Sequence, residues 1–115
     1  MIKVSLTERD GVILRLSVSG HSGFSDGGSD IVCAGVTAAV RLLETTLNDV
    51  LLLGIPCTVD EKTADITFET AKLYELPSQA SASGKAVIRG FLNLLSQLES
   101  EYPEFIKVLE VQHNA

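Results

Sequence analysis

Ile2, Val4 and Leu6 alternate with polar residues, Val12, Leu14, Leu16 and Val18 do the same, and from Ile31 the apolar period lengthens to that of a helix. Period two places apolar side chains on one face of a strand, and period 3.6 draws them into a stripe along a helix. A chain that changes period in this way must lay a helix on the apolar face of a sheet. Arg9-Asp10-Gly11 supplies turn chemistry between the first two runs, which therefore read as a hairpin. A glycine-rich loop follows, with Gly20, Gly23, Gly27 and Gly28, and Asp30 stands as the N-cap of a helix starting at Ile31.

Val36, Val40, Leu43, Leu47 and Leu51 form one stripe of that helix, and Ala39, Leu42, Val50 and Leu53 form a second. Apolar residues on more than one face mean a helix that is central or shared with a second subunit. Gly54 and Pro56 end it. Short strands are expected at 58–61 and 65–69, around Lys62-Thr63-Ala64. A polar segment, 77–84, leads to a second helix whose stripe is Val87, Phe91, Leu94, Leu95 and Leu98; Pro103 stops it, and 105–111 reads as a last strand. The expected fold is α+β in one domain, 1–115, ordered ββαββαβ, with two helices on a mostly antiparallel sheet.

With 115 residues, 45% of them hydrophobic, the chain is long enough to bury a core. Its net charge is −6 and it has no basic run, which argues against direct nucleic-acid binding. An acidic surface suits a basic protein partner. The N-terminal MIKVSLTERDG lacks a signal peptide's apolar run, and Arg41, Glu44, Asn48 and Asp49 interrupt the apolar stretch 31–55. The expected location is a reducing cytoplasm, with Cys33 and Cys57 as thiols.

The segment GHSGFSDGGSDIVCAGVTAA, residues 20–39, names a chemistry. With the helix starting at Ile31, Cys33 falls in its first turn, where unpaired N–H groups and the dipole favour a thiolate. His21 ends the second strand and is the candidate base, and backbone N–H groups around Cys33 are candidate oxyanion donors. Asp30 has two readings, helix cap or a carboxylate that orients His21. The plain alternatives are a small apolar cysteine on a helix face and a solvated loop histidine. Cys57 and His113 read as structural and solvated, respectively. The glycine-rich loop lacks the Lys-Ser/Thr pair of a phosphate loop, and His21, Asp26, Asp30 and Cys33 do not have the paired spacing of common zinc sites. No cofactor or metal is expected.

Gly20-His21-Ser22-Gly23-Phe24 followed by Asp30-Ile31-Val32-Cys33-Ala34-Gly35-Val36-Thr37-Ala38 resembles the signature of the Prp family, the bacterial ribosomal-processing cysteine proteases. Length, element order and the tail Tyr102-Pro103-Glu104-Phe105-Ile106-Lys107-Val108 fit as well. The resemblance implies an α+β homodimer with Cys33 as nucleophile, His21 as base and Asp30 as an assisting acid. It implies a substrate too, the N-terminal extension of large-subunit ribosomal protein twenty-seven, removed during ribosome assembly. It further implies a substrate-binding loop, 24–29, in which Phe24, Ser25, Gly27 and Gly28 meet the peptide. Ser22 and Phe24 stand where the pattern often has Ala and Tyr. The rival reading is a non-catalytic, ribosome-associated factor that binds a peptide in the same groove.

Overall fold

The computed structural model describes residues 1–20 and 27–112, with the backbone alone for 27–30. Strands β1 (Ile2–Arg9) and β2 (Val12–Ser19) form an antiparallel hairpin. Its two turn residues, Asp10 and Gly11, both have left-handed φ, 53° and 80°. That is the turn whose twist matches paired strands, and Asp-Gly is a favoured pair for it. A bulge between Thr7 and Glu8 shifts the register, so Thr7 pairs with Arg15 but Glu8 with Ile13. The expected face of Val12, Leu14, Leu16 and Val18 is corrected accordingly. Beyond the bulge Ile13, not Leu14, packs against the core.

Helix α1 (Gly27–Glu44) runs on into a wider π-helical turn, Thr45–Val50. Asn48 locks the exit from that turn. Its amide donates to the Ile55 carbonyl at 2.9 Å and its Oδ1 accepts from the Ile55 N–H at 2.7 Å. Between these anchors the chain bends through left-handed Leu52 and Gly54, with φ of 56° and 66°. Strands β3 (Cys57–Val59) and β4 (Ile66–Phe68) form the second hairpin. Asp60 accepts N–H bonds from Lys62 and Thr63 at its turn.

A 3₁₀ segment, Thr70–Glu75, then leads to α2 (Ser78–Glu101) and β5 (Ile106–Gln112). The polar stretch expected to precede the second helix is already helical from Ser78. Its small residues let α2 approach closely: a Cβ on Gly84 would come within 2.4 Å of Leu73 Cδ2 and 2.9 Å of Leu53 Cδ1.

The sheet order is β3-β4-β2-β1-β5. Three pairings are antiparallel and β1–β5 is parallel. Ile2, Val4, Leu6, Leu16, Val18, Phe68 and Ile106 are buried on one face, against Val32, Val36, Leu43 and Leu47 of the first helical stretch and Ile88, Phe91 and Leu95 of α2. The fold is thus α+β in the expected order. By length and composition alone, Ile31–Val50 is apolar enough to cross a membrane, but Val32, Val36 and Leu47 of this stretch are fully buried in the core.

Candidate active site

The helix that carries Cys33 begins at Gly27, not at Ile31. Apolar periodicity could not reveal this start, because Gly27, Gly28, Ser29 and Asp30 carry no apolar side chain to mark a face. The consequence for the expected chemistry is direct. Asp30 lies inside the first turn, so it is not the N-cap. Cys33 lies beyond that turn, so the unpaired N–H groups of the helix start belong to residues 27–30 and not to Cys33. The dipole's influence falls off within the first turn. The helix start therefore offers Cys33 less than the sequence expectation supposed.

Cys33 is half-buried, between fully buried Val32 and exposed Ala34, and packs against the edge of the core. Ile31, two residues before it, is 60% exposed. The thiol therefore stands at the border between the core face and the open face of α1, held by packing yet close to solvent. Thr37, one turn on, donates its hydroxyl to the Cys33 carbonyl at 2.8 Å. This tie was not anticipated from the sequence, although Thr four residues after the cysteine was its visible signal. Positions 30 and 33 share a helix face by spacing.

Upstream, Gly20 ends the second strand with φ of 86°, and a Cβ there would collide with the Met1 carbonyl oxygen. Only glycine fits that exit. His21, Phe24 and Ser25 lie outside the described residues, as do Asp26 and His113. Gly27 and Gly28 are the first two residues of α1 rather than part of a loop.

Cys57 has a different environment. It is half-buried on β3, and its thiol is pushed up to about 12, first by burial and then by a hydrogen bond to, and the charge of, Glu44 at the end of α1. A thiol held protonated in this way is a poor nucleophile. Neither cysteine is in a disulfide. Among the described residues no three His, Cys, Asp or Glu side chains gather as a metal site would need.

A family model described as cysteine protease Prp matches residues 1–107, Cys33 included. The chain belongs to the Prp family of cysteine proteases. It is 31% identical, over 99 residues, to the ribosomal processing cysteine protease Prp of Bacillus subtilis (strain 168), covering 84% of each chain. Its fold resembles that of SMU.848 from Streptococcus mutans, with TM-score 0.82, 22% identity and coverage of 98% and 96% of the two chains. It also resembles the essential ribosomal processing protease Prp from S. aureus in complex with a substrate peptide, with TM-score 0.79, 21% identity and coverage of 96% and 99%. Of the chain's two thiols, Cys33 stands at the solvent border of α1, while Cys57 is held protonated beside Glu44.

Proposed function

We propose that this Prp-family protease removes the N-terminal extension of large-subunit ribosomal protein twenty-seven in the cytoplasm, with Cys33 as nucleophile and His21 as general base. The observation that carries the reading is a half-buried cysteine at the solvent border of α1 within the matched family region. The relative's name, a ribosomal processing protease, supports the substrate class. The chain's net charge of −6 suits a basic ribosomal protein.

In this mechanism the His21 imidazole takes the Cys33 thiol proton and the thiolate attacks the scissile carbonyl carbon. The tetrahedral oxyanion collapses as the imidazolium gives its proton to the departing amine, leaving a thioester on Cys33. Water, deprotonated by the same imidazole, attacks the thioester carbonyl and restores the thiol. Asp30 assists by orienting the imidazole, while Phe24, Ser25, Gly27 and Gly28 meet the peptide. None of these steps calls for a cofactor.

The working unit is a homodimer. Leu42, Val50, Leu52 and Leu94 are exposed, and Leu42 and Leu94 border an apolar cleft of about 230 Å³ between α1 and α2. The sequence left this helix either central or shared with a second subunit; of its second stripe, Leu42 and Val50 are exposed while Ala39 and Leu53 are buried.

The test is a peptide spanning the extension of the organism's own ribosomal protein, read by mass spectrometry. One defined cut is expected, and Cys33→Ala and His21→Ala should each lose it by at least about 1,000-fold, the scale of removing one member of a catalytic unit. A cut that survives Cys33→Ala contradicts the mechanism. No cut by a folded protein with an alkylatable Cys33 contradicts the substrate.

A further inference from the structure

The two edges of α2 differ. One side meets α1; along the other runs an open groove of about 520 Å³, between α2 and the hairpin end of the sheet. Its floor is the continuation of the core face of β1 and β5, which changes from apolar to acidic there. Ile2, Val4 and Leu6 give way to Glu8, and Ile106 and Val108 give way to Glu110, which pairs with Leu6 in register. Its wall is basic, with Lys85 and Arg89 one turn apart on α2. Ile88 and Leu92 supply an apolar strip between the two charged rows.

Opposite charges that face each other normally close a cleft, yet these do not. Among the described residues the one ion pair is Arg15 with Glu69, and neither residue lines this groove. Lys85 lies over the Tyr74 ring, 4.3 Å from its centroid. Glu8 is half-buried and Arg89 exposed, and neither has an ionic partner among the described residues. The groove therefore keeps two carboxylates and two cations directed at the same space, divided by aliphatic surface.

This site is not the cutting site. Cys33 is no part of its walls. The start of α1 lies by the end of α2, where a Cβ on Gly35 would touch Leu98. The groove opens by the Asp10-Gly11 turn and follows α2 from Lys85 to Ser96.

We propose that this groove is a polypeptide exosite, binding an extended segment whose basic side chains meet Glu8 and Glu110 while its acidic side chains meet Lys85 and Arg89. An extended chain turns successive side chains to opposite sides, which suits an acidic floor and a basic wall. The exosite role rests on the protease reading above; the binding itself does not.

The experiment uses the full ¹⁵N-labelled chain, titrated with a blocked tetrapeptide that alternates lysine and glutamate. All-lysine and all-glutamate tetrapeptides serve as comparisons. Saturable amide shifts are expected at Glu8, Ile13, Arg89 and Asn93, with affinity for the alternating peptide at least about tenfold above either comparison. Arg89→Glu, a change on an exposed helix position, should erase that preference while circular dichroism shows the fold intact. The proposal is overturned if the three peptides bind alike, if no shift saturates, or if the shifts gather around Cys33. Because cleavage is not read, a failure here is distinct from a failure of the substrate assignment.

Discussion

At the scale of single residues, the two cysteines stand in different surroundings. Cys33 sits at the solvent edge of a helix, while Cys57 is desolvated and faces the Glu44 carboxyl group, which raises its thiol to about 12. A raised thiol pKa favours the neutral form in the folded state. The unfolded chain, with its thiol near the ordinary value of 9.0, releases that proton first as pH rises. Cys57 therefore stabilises the fold fully below about pH 9 and loses that contribution as pH climbs toward 12. Thermal unfolding between pH 8 and 11 should show the wild type losing Tm more steeply than Cys57→Ala, and parallel curves would contradict this account. Asp60 acts with the opposite sign. Its carboxyl is held down by N–H bonds from Lys62 and then Thr63, so its contribution is present above the usual carboxylate range and fades in acid.

At the scale of elements, the most exposed structural problem is the outer edge of β5. The Ile2 N–H donates to the Phe105 carbonyl, so the odd-numbered residues of β5 turn toward β1 and the even-numbered ones toward the open edge. Open edges invite pairing with other chains. Glu99 of α2 answers this at one point, its carboxylate accepting the Val108 N–H at 2.8 Å. Glu99→Ala should cost about 1 kcal/mol in urea unfolding, the scale of one partly exposed charged hydrogen bond. It should also raise concentration-dependent aggregation. An unchanged midpoint would show that water replaces the carboxylate without loss.

At the scale of the whole molecule, what the sequence revealed follows from which residues carry apolar side chains. The hairpin was legible in the alternation around Asp10-Gly11, and the core side of α1 and its π-helical continuation in Val36, Val40, Leu43 and Leu47. The helix starts at Gly27 and Ser78 were not, because small polar residues leave no periodic trace. The π-helical turn was equally silent, and the bonds from Asn48 to Ile55 that lock its exit span seven positions. The parallel pairing of β1 with β5 is a long-range choice that local pattern does not encode. The family was legible in the signature around Cys33, whereas the position of Cys33 beyond the first turn was not. The second apolar stripe is divided, Leu42 and Val50 exposed but Ala39 and Leu53 buried; on the proposed dimer, Leu42→Asp should give a monomer in light scattering at micromolar concentration, and a wild type that is already monomeric would remove the dimer from the account.

The central claim is that Cys33 forms the covalent intermediate. The most direct measurement is acid quenching during turnover of the extension peptide, followed by peptide mapping for the acyl adduct. The account predicts the N-terminal product fragment attached to Cys33 and none on Cys57. Turnover with the adduct on another residue, or with no adduct and undiminished in Cys33→Ala, would contradict it.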